Sequence, residues 1–430
     1  MEEVHFKNQP LIGELQVPGD KSISHRAIML GALANGTTKV DNFLTSEDCM
    51  RTVEAFKELG VDIEVDKTLV TIKSKGYYSF QQPNQPLNMG NSGTTTRLIS
   101  GILAGLPFET ELIGDASLSQ RPMGRVIDPL TKMGADFITS NNRMTLPLTV
   151  KGGTLKPINY HLPVDSAQVK SAILLSGLLT DGQTTVFERN QTRNHTEKML
   201  SAFGGEVEVN NDQISIAGPQ QLSGAELTVP GDASSAAFWI AAAVITPGSH
   251  ILIQNVGLNQ TRTGLVDVLK RMGAKISLQV TGYIGDEPIG NIEVNYSKLQ
   301  PTTLESSEIP SLIDEIPLLA LVATQAQGTM EINNIEELRY KETDRIETTV
   351  QILKSLGANI DSKNDTMTVN GKVNLTGGRV RTNGDHRMAM MAAIASTISD
   401  HPIEIDDVTC INISYPSFFD HFKQLLSRES

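Results

Sequence analysis

Apolar and polar positions fall into two patterns along this chain, and each predicts its own kind of helix. In the first, the segment is apolar on every side. From Ala27 to Ala34 the residues are Ala, Ile, Met, Leu, Gly, Ala, Leu and Ala, stopping at Asn35-Gly36, as expected of a helix buried all round. Similar runs lie near Leu98 and Ala236. In the second, an amphipathic helix ends in glycine and a short strand follows. The five instances are Leu59-Gly60-Val61-Asp62-Ile63, Met133-Gly134-Ala135-Asp136-Phe137, Phe203-Gly204-Gly205-Glu206-Val207, Met272-Gly273-Ala274-Lys275-Ile276 and Leu356-Gly357-Ala358-Asn359-Ile360. Each glycine suits the left-handed residue that closes a helix.

These endings recur at intervals of about 70 to 85 residues, which points to structural repeats. A sixth amphipathic helix, 417–426, has no strand after it, and the strand near Val4-His5-Phe6 is expected to complete that unit. The chain then forms two bodies of three units each, one of them built from both ends of the sequence. Val17-Pro18-Gly19-Asp20 returns as Val229-Pro230-Gly231-Asp232, and the chain is expected to cross between bodies at these two turns. The expected domains are 1–20 with 232–430, and 21–231.

Every unit also carries one of the apolar helices, and all six open with polar groups. They begin at Asp20-Lys21-Ser22, Asn91-Ser92-Gly93-Thr94, Asp165-Ser166-Ala167-Gln168, Asp232-Ala233-Ser234-Ser235, Asp314-Glu315 and Asp385-His386-Arg387. An apolar helix has to be wrapped by other elements, so its polar end is the part left for solvent or a ligand. At the first end Asp20 is the natural N-cap, and Ser22 and Arg26, four apart, share a face. Lys21, Ser22 and Arg26 beside free backbone N–H groups make an anion site.

Other motifs add donors and carboxylates at comparable places. Asn88 to Arg97 is a glycine-rich turn whose two glycines allow close approach of a ligand, although it lacks the ending and spacing of a P-loop. Arg121 precedes Pro122 at a loop-to-helix junction, and Arg193-Asn194-His195-Thr196 precedes a surface helix. Asp314 and Glu315 sit among apolar residues, where partial burial would suit a carboxylate to proton transfer. Lys341 and Arg345 are four apart and spaced to share an anion, with Glu342 close by as an acid or base. Cations thus gather at helix junctions in different repeats. If those ends face one cleft, it suits a small substrate with several phosphate and carboxylate groups.

Composition narrows the partners. A chain of 430 residues with net charge -13 has no broad basic face for nucleic acid or an anionic membrane, so any anion site is local. Cys49 and Cys410 have neither metal-ligand spacing nor the makings of a disulfide framework, which fits a reducing compartment. The N-terminus lacks the features of a signal peptide, and the longest apolar runs are too short to span a bilayer. The cytoplasm is the expected location.

Over essentially its whole length the chain resembles the 5-enolpyruvylshikimate-3-phosphate synthase family. The motifs that carry the resemblance are Pro-Gly-Asp-Lys-Ser-Ile-Ser-His-Arg (18–26), Gly-Asn-Ser-Gly-Thr (90–94), Gln-Arg-Pro-Met (120–123), Asp-Ser-Ala-Gln (165–168), Ile-Asp-Glu (313–315), Lys-Glu-Thr-Asp-Arg (341–345) and Asp-His-Arg-Met (385–388). Their wording is similar to the branch found in many Gram-positive bacteria. The resemblance implies a two-domain inside-out α/β barrel of six βαβαββ repeats, three per domain, with the active site in an interdomain cleft. It implies transfer of the enolpyruvyl group of phosphoenolpyruvate to the 5-hydroxyl of shikimate 3-phosphate, by a monomer that needs no cofactor or metal.

By position, the resemblance assigns Lys21, Ser22, Arg26, Ser166, Gln168, Arg193, Asp314 and Lys341 to shikimate 3-phosphate, with Asp314 as base on its 5-hydroxyl. It assigns Lys21, Asn91, Gly93, Arg121, Gln168, Arg345 and Arg387 to phosphoenolpyruvate, with Glu342 and Lys21 moving the proton at the methylene carbon. Two alternatives remain. One is the related UDP-N-acetylglucosamine enolpyruvyl transferase, whose Lys-Asn pair is Lys21-Ser22 here and whose loop cysteine is absent from 118–123. The other is a non-catalytic anion-binding protein of the same fold. Ile413 stands where many family members carry a lysine.

Overall fold

The computed structural model describes residues 2–7, 9–139 and 144–426. Its strands form six small sheets, four of them four-stranded and two three-stranded. The repeat is clearest between residues 87 and 151. Strand Leu87–Asn88 leads into the apolar helix Gly93–Ala104, and strand Glu109–Ile113 returns parallel to the first. The amphipathic helix Gly124–Met133 and an antiparallel pair, Asp136–Thr139 and Leu148–Lys151, complete the unit. This is the βαβαββ order. Two sheets are abbreviated: around Gly328–Ile332 the opening strand shrinks to a single parallel bridge between Leu299 and Ala326.

The chain divides into two compact units, 1–18 with 230–282 and 288–430, and 19–229 with 283–287. The chain passes from one to the other within each Val-Pro-Gly-Asp turn. Residues 283–287 are the tip of a long hairpin, Lys275–Ile284 and Glu287–Asn295; they group with the second unit although their strands belong to the first. Strand Glu2–Val4 pairs with Ile403–Ile405, so an N-terminal strand completes the repeat that ends with helix Phe418–Leu426. All five helix-ending glycines have positive φ, between 75° and 111°.

Each unit has its own apolar core, in which the all-round apolar helices are the central elements. In the second unit Gly101 lets helix Gly93–Ala104 lie against Ala167–Gly177. A Cβ at that position would overlap the Ala172 carbonyl oxygen, and Ser176 Oγ donates to Gly101 O at 2.7 Å. In the first unit every residue of helix Ala233–Ile245 is buried. Burial on this scale leaves the polar first turns as the parts of these helices able to do chemistry, since each large apolar side chain taken from water contributes about 1.5 to 3 kcal/mol to the fold. Among the described residues no helix is long and apolar enough to cross a membrane.

Candidate active site: two groups of charged helix ends

In the second unit Asp20 caps helix Lys21–Leu33 by accepting from Ile23 N at 2.8 Å. Lys21, in the first turn, forms an ion pair with Asp48 from helix Glu47–Glu58. Arg26, one turn further on, is almost fully buried. Its Nε donates to Thr196 Oγ1 at 2.7 Å, one terminal nitrogen to Ser171 Oγ at 2.7 Å, and the other to Ser22 O at 3.0 Å. Those partners are all neutral. Burial, opposed by Glu197 and Asp20 and reinforced by the nearby Arg193, pushes the guanidinium down to about 10, so it stays charged at neutral pH. A buried cation bonded to hydroxyls and a carbonyl, with a second arginine near, is an environment completed by an anion.

His25 lies beneath the same turn. Burial, with Lys21 beside it, pushes its imidazole down to about 3 and keeps it neutral. Its Nδ1 meets Thr52 Oγ1 at 2.7 Å, and the hydroxyls continue through Thr95 (2.8 Å) to Ser92 (2.7 Å), the N-cap of helix Gly93–Ala104. This buried polar chain ties the lysine turn to the glycine-rich turn.

At the glycine-rich turn Asn91 stands between an acid and a base: its Nδ2 donates to Asp115 Oδ2 and its Oδ1 accepts from Arg121, both at 2.7 Å. A Cβ on Gly93 would come within 2.9 Å of Arg97 and 3.4 Å of Arg121, so two guanidinium groups converge where only a glycine leaves space. Arg97 also donates to Gln168 Oε1 at 2.7 Å, while Gln168 Nε2 donates to Thr94 Oγ1 at 3.1 Å, which sets the direction of that amide. Ser166, rather than Asp165, caps helix Ala167–Gly177; Asp165 instead holds Asn190 at 2.7 Å. The candidates of this unit thus lie on contacting elements.

In the first unit the candidates converge on Arg345. This arginine, 1% exposed, opens helix Arg345–Ser355 and is held by three carboxylates. Its Nε is 2.8 Å from Asp385, and its terminal nitrogens reach Glu342 at 2.6 Å and Asp314 at 3.5 Å. Lys341 approaches the same Asp314 oxygen at 3.2 Å, so the anion that Lys341 and Arg345 share here is a side chain of the protein. Burial would raise the Asp385 carboxyl, but Arg345 overrides it and holds that group below the usual carboxylate range. Asp385 also caps helix His386–Ala395, and Arg387 in its first turn reaches Glu315 at 3.1 Å and Asp314 O at 3.3 Å.

Asp314 is not an N-cap; it lies in a short 3-10 turn, Ile313–Glu315, before the apolar helix. Ile413 ends another such turn and packs against the core. The sequence reading missed Asp48, Arg97 and Asp115, and left Asp385 without a role. All four are partners of residues it named, and Asp48 and Asp385 carry a signal, an acid at the start of a helix. Among the described residues no group of three or more His, Cys, Asp or Glu side chains is placed to hold a metal ion.

Comparison with known proteins agrees along the whole chain. The family model of EPSP synthase (3-phosphoshikimate 1-carboxyvinyltransferase) matches residues 6–422. The 3-phosphoshikimate 1-carboxyvinyltransferase of Oceanobacillus iheyensis is 50% identical over 416 residues, 97% of each chain. The Bacillus subtilis protein of that name is 50% identical over 420 residues, 97% of this chain and 98% of its own. Among solved structures, EPSP synthase from Acinetobacter baumannii superposes with a TM-score of 0.88 at 40% identity, covering 98% of this chain and 97% of that one. The enolpyruvyl transferase NikO from Streptomyces tendae shares the fold, with a TM-score of 0.80 at 16% identity over 98% of this chain and 96% of its own. The motifs, the repeated fold and these matches together place the chain in the EPSP synthase family.

Proposed function

We propose that this protein transfers the enolpyruvyl group of phosphoenolpyruvate to the 5-hydroxyl of shikimate 3-phosphate, releasing phosphate, through the residues described above. The observation that carries the reading is Arg26, a buried guanidinium bonded to neutral groups beside Arg193 and one turn from Lys21. That arrangement suits the phosphate of shikimate 3-phosphate. Lys21, Ser22, Arg26, Ser166, Gln168, Arg193, Asp314 and Lys341 are assigned to this substrate. Lys21, Asn91, Gly93, Arg121, Gln168, Arg345 and Arg387 are assigned to phosphoenolpyruvate.

The chemistry asks for two proton movements. The methylene carbon of phosphoenolpyruvate gains a proton as the 5-hydroxyl loses one and its oxygen attacks C2. The tetrahedral intermediate then collapses when the methyl group gives a proton back and the C2–phosphate bond breaks. Asp314 is assigned to the hydroxyl proton, and Glu342 and Lys21 to the carbon proton. Support comes from the ion pairs that hold each of these groups in place, Asp314 with Lys341, Glu342 with Arg345 and Lys21 with Asp48. The protein is taken to act as a cytoplasmic monomer.

The test is a phosphate-release assay with phosphoenolpyruvate and either shikimate 3-phosphate or UDP-N-acetylglucosamine as acceptor. Release is expected with the first acceptor alone, and release only with the second would overturn the reading. Asp314→Asn should keep shikimate 3-phosphate binding and lower turnover by about a hundredfold or more, the scale of losing a general base. Near-normal turnover would remove Asp314 from the mechanism.

A further inference from the structure

His195 has no part in the proposed chemistry, yet it is 1% exposed and its ring is held by a buried carboxylate. Its Nδ1 lies 2.7 Å from Glu287 Oε1, and Glu287 is 3% exposed. Glu287 lies 92 residues further along the chain, in the hairpin tip 283–287 that groups with the second unit. Neighbouring bonds fasten the same tip: Lys198 Nζ donates to Asp286 O at 2.7 Å, and Ser201 Oγ to Asp286 Oδ2 at 3.5 Å. The tip therefore lies along helix His195–Leu200 and the turn after it.

The first turn of that helix carries what Arg26 needs. Thr196, next to His195, accepts from Arg26 Nε at 2.7 Å and donates to Ser171 Oγ at 2.8 Å; Ser171 accepts the second Arg26 bond. Arg193 stands two residues before His195, close enough for its charge to act on Arg26. A six-residue helix has little stability of its own, so its first turn is placed by tertiary contacts. Two buried contacts do this: Glu197 pairs with Lys170 at 2.8 Å, and the imidazole–carboxylate bond holds the first residue, fixing the ring as well as the backbone beneath it. Glu287 is also one of the charges that act on Arg26.

We propose that Glu287 and His195 are positioning residues for shikimate 3-phosphate: the hairpin tip sets the turn that presents Thr196 and Arg193, and so aims the Arg26 guanidinium at the substrate phosphate. The proposal rests on the assignment of Arg26 and Arg193 to that substrate. It differs from a purely structural role in being selective, because the phosphoenolpyruvate candidates are held elsewhere: Asn91 and Arg121 bond to one another, Arg345 to Glu342 and Asp385, and Arg387 to Glu315, all on other elements.

The test uses the full chain and three variants, with steady-state kinetics for both substrates and calorimetric titration of shikimate 3-phosphate alone. Glu287→Ala should raise KM and Kd for shikimate 3-phosphate roughly tenfold or more, the scale of a misplaced binding group, with kcat and the KM for phosphoenolpyruvate unchanged. Glu287→Gln, which keeps the shape and one hydrogen bond, should recover most of that loss. Ser201→Ala, which removes only a long, exposed bond to Asp286 and leaves the Glu287–His195 bond in place, should behave as wild type. If Glu287→Ala does not fold, the proposal is read from Glu287→Gln, which should still show a rise in the shikimate 3-phosphate KM alone. Unchanged values in the folded variants, or equal rises for both substrates, overturn it. A wild-type protein that does not bind shikimate 3-phosphate would instead overturn the functional assignment on which it stands.

Discussion

The two Val-Pro-Gly-Asp turns begin alike and are put to opposite uses. In both, the aspartate caps an apolar helix, and in both the glycine runs against an asparagine with positive φ, Asn42 at 53° just after strand Asn35–Asp41 and Asn255 at 54° in the bulge of strand His250–Gly257. A Cβ on Gly19 would overlap Asn42 O, and one on Gly231 would lie 3.2 Å from Asn255 O. Beyond the cap they diverge. The first helix continues with Lys21, His25 and Arg26; the second has Ala233, Ala237 and Phe238 at the matching places.

At the second turn Arg262 closes the site from the neighbouring loop, 2.8 Å from Asp232 and 2.7 Å from Ser234 Oγ, with Asp232 and Arg262 both buried. Phe238 packs edge-on to Phe418. The cation there serves the protein's own carboxylate. At the first turn Arg26 bonds to two hydroxyls and a carbonyl, all neutral, and leaves its charge for something else. One backbone device therefore makes an anion site or a sealed joint, depending on whether the nearest arginine is matched by a carboxylate.

The largest expected effect comes from giving the first turn the residue of the second. Lys21→Ala should cut turnover about a thousandfold, the upper scale for losing a charge that acts on a transition state, with little change in urea stability. Turnover within a few-fold of wild type would end the contrast. Next comes the reverse experiment: Arg262→Met leaves Asp232 buried without its cation and should cost about 3 kcal/mol or more in urea unfolding, while turnover per folded molecule stays the same. A loss of turnover without a loss of stability would show that the second turn also serves chemistry.

The smallest effect at any one step, a change per pH unit, sharpens the comparison through pH, because the first turn carries a titratable group where the second has Ala237. Folded His25 does not take up a proton until about pH 3, whereas in the unfolded chain it does so near 6.5. Between those values the unfolded state binds the extra proton. The neutral ring's contribution is thus complete above about pH 6.5 and is lost as pH falls toward 3, at up to about 1.4 kcal/mol per pH unit. Urea unfolding of wild type and His25→Asn from pH 7 to pH 4 should show this slope in wild type and not in the variant. Parallel curves would mean that His25 is not buried neutral.

Much of this was legible along the chain. The five glycine-closed helices, the six apolar helices with polar first turns and the order of the seven motifs all rest on local rules, in which a residue's neighbours at short spacing decide its conformation. The named candidates at the helix ends were visible for the same reason. Two details were not legible: that Ser166 rather than Asp165 is the cap, and that Asp314 is an ion-paired residue of a 3-10 turn. In each case a hydrogen bond or ion pair to a distant segment outweighed the local preference.

The sequence by itself determined where the buried helices are, which polar residues stand at their ends and which family the motifs belong to, because helix periodicity, capping and motif order are properties of short stretches. Tertiary structure alone decided which charges meet. Lys21 finds Asp48, Arg345 gathers Asp314, Glu342 and Asp385, Arg262 closes on Asp232, and Glu287 reaches His195 from 92 residues away. Those pairings depend on how separate repeats pack, and a buried charge takes its meaning from its neighbours: the same arginine is a binding group beside hydroxyls and a structural tie beside a carboxylate.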